Sequence, residues 1–261
     1  MTFARSLVTS RRLFLISMEP MDGALAIITA RGGSKRIPRK NLRLLGGIPL
    51  IEYTIKAALN ATFISEVIVS SDDDEIIKIS KRLGADVLIR RPDHLSGDAV
   101  PSVNVLLHEA KFYKQHRGTL PEEIVLLQPT SPFRTSVHID EALKVFREQG
   151  ADTLVSVRKV PHNFSPDSAM ILNEANILIP MKPVDDQKLI SQKKAQYFAR
   201  NGAIYITSSK GLLERHTLFG PIISPYVMDM HSSVDIDEPE DFRFCEYLIK
   251  ERFHSTCLDD L

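Results

Sequence analysis

The sequence predicts an α/β fold with a mostly parallel sheet covered by helices on both faces. Three observations carry this. Short apolar, β-branched runs recur and alternate with stretches whose apolar residues fall at helical spacing. The connections between them are short, so successive strands are expected side by side and pointing one way. Several runs are apolar throughout, as strands buried on both faces are.

Taken in order, Ala24–Ile28 is the first buried strand and Pro49–Asn60 the first helix, with proline at its opening turn. Val67–Ser70 is a short β-branched strand. It runs into Asp72, Asp73, Asp74 and Glu75, acids that suit the start of a helix and its dipole. Helix Glu75–Leu83 stops at Gly84, and strand Val87–Ile89 follows. Val100–Gln115 reads as a helix, Ile124–Leu127 as a strand, Val137–Gln149 as a helix closed by Gly150, and Thr153–Val157 as a strand. The pattern then breaks: about 160–200 is rich in proline, asparagine and mixed polarity and reads as an inserted arm. Strand Ala203–Thr207 returns to the core, Pro221–Met230 is irregular with a strand-like end, and Pro239–Phe253 is the last helix. Ligands of such sheets bind at the carboxyl ends of the strands. The loops after Ile28, Ile89, Leu127 and Ile206 are therefore expected on one edge.

Residues 24–261 are read as a single domain and 1–23 as a tail outside it. Arg5, Arg11 and Arg12 without an acid give the tail a weak transit-peptide look, but a disordered tail or an early start codon is the plainer reading. Lys+Arg and Asp+Glu both number 33, a balance that argues against general nucleic-acid binding. Cys245 and Cys257 are the only cysteines, so no disulfide framework or CxxC site is expected, and a reducing compartment, the cytoplasm, is. No apolar run approaches the ~20 residues that span a bilayer, so no membrane partner is expected.

In this neutral chain the stretch ALAIITARGGSKRIPRKN stands out. From Arg31 to Arg43 there are six cations (Arg31, Lys35, Arg36, Arg39, Lys40, Arg43) and no acid. A strand that ends in a cationic loop bearing Gly32 and Gly33 suits a phosphate: the glycines let backbone N–H groups approach and the cations offset the charge. The loop is neither GxxxxGK[ST] nor GxGxxG. A second candidate is Ser233-Val-Asp-Ile-Asp237. In an extended segment, side chains two apart face the same way, so Asp235 and Asp237 would point together. Two carboxylates with phosphate oxygens and water suit Mg²⁺. In Gln128-Pro-Thr-Ser-Pro-Phe-Arg134 two prolines stiffen a loop that carries an amide and a guanidinium, groups able to orient a polyhydroxylated acid. Arg90–Asp98 and Arg200–Tyr205 are further polar loops beside strands. The eight histidines form no metal spacing, and no GxSxG elbow is present.

RGGSKRIPRKN, RRPDHLSGD, LLQPTSPFRT, RNGAIYI and SVDID occur in this order from Arg31 to Asp237. Together they resemble the CMP-sugar synthetases, the acylneuraminate cytidylyltransferase family. The resemblance implies a Rossmann-like three-layer domain and a homodimer in which the 160–200 arm reaches into the partner. It implies a Mg²⁺-dependent nucleotidyltransferase that joins CTP and an acidic ulosonic sugar and releases pyrophosphate. By position, Arg31, Gly32, Gly33, Ser34, Lys35, Lys40 and Asn41 would hold the phosphates and ribose, with Arg91 and Ser102 near the cytidine. Gln128, Arg134, Arg200, Asn201 and Tyr205 would contact the sugar acid, and Asp235 and Asp237 the metal. Arg31, Lys35, Lys40, Asp235 and Asp237 would carry the catalysis. Two departures stand out: Ala199 occupies a position where the sialic-acid enzymes carry arginine, and Phe133 replaces the more usual leucine. Legionaminic, pseudaminic and related acids therefore stay open as substrates. A KDO-type cytidylyltransferase, a non-catalytic nucleotide-binding relative and an NAD-dependent oxidoreductase are the rivals; the last lacks its glycine fingerprint.

Overall fold

The computed structural model describes residues 23–182 and 195–258; the expected tail, apart from Gly23, and the middle of the expected arm lie outside them. A six-stranded sheet has the order β10-β6-β9-β5-β1-β4. Its strands are β1 (Ala24–Thr29), β4 (Ile64–Ser70), β5 (Glu123–Leu127), β6 (Thr153–Lys159), β9 (Phe198–Ser208) and β10 (Ile223–Met228). Two small antiparallel pairs, β2 (Leu44–Leu45) with β3 (Ile48–Pro49) and β7 (Met170–Leu172) with β8 (Leu178–Pro180), stand outside it. The helices are α1 (Leu50–Leu59), α2 (Asp74–Leu83), α3 (Ser102–Arg117), α4 (Ser136–Gln149), α5 (Ser209–Arg215) and α6 (Pro239–Leu258).

The alternation of β1 divides the core into two layers. Ala24, Ala26 and Ile28 pack with Ile51 and Ile55 of α1 and Ile139 and Leu143 of α4. Leu25 and Ile27 face the other way, onto Leu106 and Ala110 of α3 and Leu212 of α5. Successive side chains of a strand point to opposite faces, so a strand clad on both sides must be apolar at every position. The three-layer expectation is borne out. The acids after β4 do cap: Asp73 accepts from the backbone N–H groups of Glu75 and Ile76, and Gly84 ends α2 at φ +99°.

Sequence and structure differ at three places. Val87–Ile89 forms no strand; only Asp86 bridges to Ile68. Between them, Pro221 and Met230 enclose a regular edge strand, β10, parallel to β6. Strand β9 runs antiparallel to both β5 and β6. The loop after Ile206 therefore lies at the opposite edge from the loops after β1 and β5, and it is the start of β9, at Arg200–Asn201, that reaches the expected binding edge. Local composition gives a strand but not its direction.

The pairing of β9 with β6 jumps from Val155↔Tyr205 to Val157↔Arg200. The extra β9 residues bulge at this edge, and Ser156 fills the bulge: its hydroxyl donates to Asn201 Oδ1 at 2.6 Å and accepts from the Ile204 N–H at 2.7 Å. Bulges re-aim side chains at functional edges.

Candidate active site

A third apolar cluster builds the walls of the site. Ile37 of the basic loop, Phe133, Val234, Ile236, and Phe242 and Cys245 of α6 pack together. Alternation within Ser233–Asp237 buries Val234 and Ile236 and turns Asp235 and Asp237 the other way. The Ile236 N–H donates to the Thr130 carbonyl at 2.8 Å, and Lys40 Nζ donates to the Ile236 carbonyl at 2.6 Å. The cationic loop, the Gln128–Arg134 loop and the carboxylate segment are thus tied to one another.

Between them opens a cavity of about 500 Å³ at the carboxyl ends of β1 and β5. Arg31, Ser34, Lys35, Lys40 and Asn41 line one end, with Asp237 beside them; Arg91, Ser102 and Gln128 also line it. Arg36, one of the six loop cations, lines it too, as do Asp98, Thr130 and an apolar set including Leu95, Val100 and Val105 to which the sequence assigned no role. The six cations have different duties. Arg39 pairs with Glu75 of α2 at 2.6 Å, and Arg43 stacks its guanidinium 4.5 Å over the Phe242 ring. Lys40 lies 3.5 Å from Asp237, and Arg36 lies 3.8 Å from the same carboxylate. Arg31 and Lys35 both pair with Asp98, Lys35 at 2.6 Å. Hydrogen bonding to Lys35, then to Arg31, holds the Asp98 carboxyl below its usual range.

The glycines serve geometry. Gly32 gives its N–H to Asp72 Oδ1 at 2.9 Å, and a Cβ there would stand 2.8 Å from the Asp73 side chain. Its donor shapes the loop, while Gly33 faces open space. Asn41 Nδ2 donates to the Arg31 carbonyl and braces the same turn.

Two of the expected sugar contacts, Arg134 and Asn201, are buried in the structure. Arg134 is 2% exposed, and its Nη1 donates to the carbonyls of Gln128 and Ala203, both at 3.3 Å. With no carboxylate beside it, burial pushes its pKa down to about 9. It pins the end of β5 to the start of β9 and does not line the cavity. Asn201 is buried too: its amide donates to Ser233 Oγ and Met228 Sδ and accepts from Ser156 and the Ala203 N–H. It staples β9 to the carboxylate segment. Arg200 and Tyr205 are not among the residues that line the cavity; they share the Phe219 ring, with the Arg200 guanidinium 5.6 Å above it and Tyr205 edge-on. Burial raises the Tyr205 pKa; the Arg200 charge lowers it and the Asp235 charge raises it.

Gly202, which the sequence reading passed over, has φ +75°, and a Cβ on it would sit 2.9 Å from Gln128 Oε1 and 3.0 Å from Asp235 Oδ2. The amide and the carboxylate therefore converge over a bare stretch of backbone. The RNG triplet was its only signal in the sequence.

A model for cytidylyltransferases matches residues 25–257. The chain belongs to the cytidylyltransferase family. This cytidylyltransferase is 33% identical over 227 residues to the CMP-N,N'-diacetyllegionaminic acid synthase of Legionella pneumophila, covering 87% of this chain and 96% of that one. A pseudaminic acid cytidylyltransferase of Campylobacter jejuni is 33% identical over 232 residues, 89% of this chain and 98% of its own. The N-acylneuraminate cytidylyltransferase of Escherichia coli is 34% identical over 228 residues, 84% of this chain, which spans 50% of that longer relative. Among solved structures, a CMP:2-keto-3-deoxy-manno-octonic acid synthetase complexed with CTP superposes with a TM-score of 0.63 at 17% identity, covering 88% of this chain and 99% of that one. At that identity the likeness speaks for the fold alone. The family resemblance read from the ordered motifs is borne out.

The carboxylates suit a cation. Asp235 Oδ1 is buried without a hydrogen-bond partner. Burial, then the neighbouring Asp237 charge, pushes the Asp235 carboxyl up, while Thr130 and Lys40 pull it down. An orphaned, half-desolvated carboxylate oxygen beside a second carboxylate is relieved by a bound cation. Among the described residues there is no cluster of three or more His, Cys, Asp or Glu that could hold a metal ion.

Proposed function

We propose that this cytidylyltransferase joins CTP to an acidic nonulosonic sugar, giving the CMP-sugar and pyrophosphate. The observation that carries the reading is the convergence of Arg31, Lys35 and Lys40 with Asp237 on one cavity at the carboxyl edge of the sheet. The names of the relatives support the sugar class. In this reading the triphosphate lies against the cationic end and displaces Asp98 from Arg31 and Lys35. The base reaches toward Arg91 and Ser102. The sugar acid sits near Gln128, Arg200 and Tyr205, with Asn201 and Arg134 fixing the backbone under it.

The anomeric hydroxyl attacks the α-phosphorus in line. The bond from that phosphorus to the bridging oxygen breaks, pyrophosphate leaves, and the hydroxyl proton passes to water. Arg31 and Lys35 hold the departing phosphates, and Lys40, fixed by its bond to Ile236, sets their distance from the carboxylate segment. Such fixed charges stabilise the developing negative charge without reorganising. Mg²⁺ would be held by Asp235 and Asp237 and would neutralise phosphate oxygens. Positioning and charge together supply most of the rate in reactions of this type.

A homodimer belongs to the same reading, with residues 24–261 forming one domain. The β7–β8 hairpin exposes Ile171, Leu172, Leu178 and Ile179, and the edge strand β10 exposes Ile223 and Val227. Apolar surface gathered on a projecting hairpin suits burial against a second copy. No helix among the described residues is long and apolar enough to cross a membrane. The cytoplasm, where CTP is made, is the proposed site of action.

The test is pyrophosphate release from CTP and Mg²⁺ with sialic, legionaminic, pseudaminic and KDO acids offered separately. Release with one nonulosonic acid, abolished by EDTA, is the expected result. Absence of CTP binding overturns the reading, and release with KDO alone moves the assignment to the KDO type.

A further inference from the structure

Beneath the cavity, away from its cationic end, lies a charged group that the proposed reaction does not use. Glu109 of α3 is wholly buried, and neither carboxylate oxygen meets a donor at hydrogen-bonding geometry. The Nδ1 of its neighbour His108 is 3.6 Å from Oε1 and also lacks a hydrogen bond. A buried carboxylate that packs without a close partner costs stability, and an aliphatic or amide side chain would fit such a site at lower cost.

Its surroundings point to the nucleotide. Glu109 lies seven residues beyond Ser102 and four beyond Val105, both of which line the cavity, so the three share one face of α3. Across from it stand the Ser70 hydroxyl at the end of β4 and the Arg91 guanidinium, whose attractions partly offset the burial of the carboxyl. Arg91 is itself buried, lines the cavity and is anchored on the same strand end. Its Nε donates to Ser70 Oγ at 2.9 Å, its Nη2 donates to the Ser70 carbonyl, and its backbone N–H donates to the Ser71 carbonyl at 2.8 Å. Because the Ser70 oxygen accepts from Arg91, its own proton is free to turn toward Glu109. The other charges acting on Arg91 are Asp72 and Arg31.

We propose that Glu109 is a positioning residue for the nucleobase: through the Ser70 hydroxyl it orients Arg91, whose guanidinium reads the acceptor edge of cytosine. The proposal rests on the reading of the cavity as a CTP site. Cytosine offers acceptors at O2 and N3, whereas uracil carries a proton on N3. Arginine has only donors. A guanidinium held at this edge therefore welcomes cytosine and meets the N3–H of uracil donor to donor, which is how a site rejects a near-isostere.

Direct titration of CTP and of UTP into the full-length wild type, Glu109→Gln and Ser70→Ala tests this without the sugar. The Glu109→Gln protein should melt at or above the wild-type temperature while its CTP affinity falls about tenfold, the worth of one charge-assisted hydrogen bond. Its preference for CTP over UTP should shrink by a similar factor, and Ser70→Ala should move both the same way. In turnover assays the KM for CTP should rise with kcat and the sugar-acid KM nearly unchanged. Wild-type CTP affinity and CTP/UTP preference in Glu109→Gln would overturn the proposal, as would equal weakening toward CTP and UTP. If Glu109→Gln does not fold, an unaltered CTP/UTP preference in Ser70→Ala overturns it. A wild type that prefers CTP but turns over no sugar acid would instead count against the proposed function, and the base-reading proposal would still be judged by the titrations.

Discussion

Replacing Gly202 by alanine addresses the architecture of the site most directly. The perturbation is one methyl group, at φ +75°, aimed at Gln128 Oε1 from 2.9 Å and at Asp235 Oδ2 from 3.0 Å. Holding a residue with a side chain in left-handed backbone costs about 1–2 kcal/mol. For a chain of this size that corresponds to a melting temperature lower by about 3–6 °C. The two oxygens must each retreat by roughly 0.4 Å to reach ordinary van der Waals contact. Such a shift moves one proposed metal ligand and one proposed sugar ligand together. Displacements near 1 Å in positioned groups cost up to about 100-fold in rate, so a turnover loss of about 10- to 100-fold is expected. The assay is pyrophosphate release at saturating CTP and sugar acid, alongside calorimetric melting. Because the cationic end is untouched, CTP affinity should hold within about twofold. A Gly202→Ala protein with wild-type melting and wild-type turnover would refute the convergence of Gln128 and Asp235 over bare backbone.

Other perturbations give separate readings. Asp98→Asn should free Arg31 and Lys35 and tighten CTP binding about two- to fivefold, the scale of exposed ion pairs, with the gain shrinking in high salt. The Asp98 carboxyl is held below its ordinary range by Lys35 and then Arg31, so the clamp persists above that depressed pKa and is lost only as pH falls through it. The gain should accordingly be constant across neutral pH, and titration by calorimetry checks it; a gain that vanishes on mild acidification would exclude the clamp. Asp237→Ala should lower turnover by about 10²–10³-fold with unchanged melting, because the carboxylate is exposed; near wild-type turnover would remove it from the metal site. Pairing Ile171→Asp with Leu178→Asp should convert the proposed homodimer to monomers in sedimentation experiments, and a dimer unchanged by the pair would exclude the hairpin from the interface.

Much of this fold is readable where local physics decides it. The β1 run, apolar at each core position, specifies a strand buried on both faces. Asp73 and Gly84 mark the two ends of α2 through capping, which depends on residues a few positions apart. The ordered motifs mark the cavity for a similar reason: Arg31, Lys35 and Lys40 lie within one loop, and Asp235 and Asp237 within one extended segment. What was not legible depends on distant partners. The reversed direction of β9 is set by its pairing with β5 and β6. The inward turn of Arg134 follows from the Gln128 and Ala203 carbonyls behind it, and Asn201 is claimed by Ser156, Met228 and Ser233. Asp98 looked like one acid in a polar loop until its neighbours across the cavity were known.

The bond from Lys40 to the Ile236 carbonyl joins residues 196 positions apart. During synthesis the basic loop leaves the ribosome long before the segment that completes the cavity. Contacts of this range form slowly, after the strands between them have paired. Until Asp235 and Asp237 arrive, the cations of the loop have no carboxylate counterpart and no fixed wall to face. The proposed nucleotide contacts are complete only in the finished chain, and a ligand that binds only the finished chain draws the population toward it by mass action. Cellular CTP would in this way act on the maturation of the protein as well as serve as its substrate.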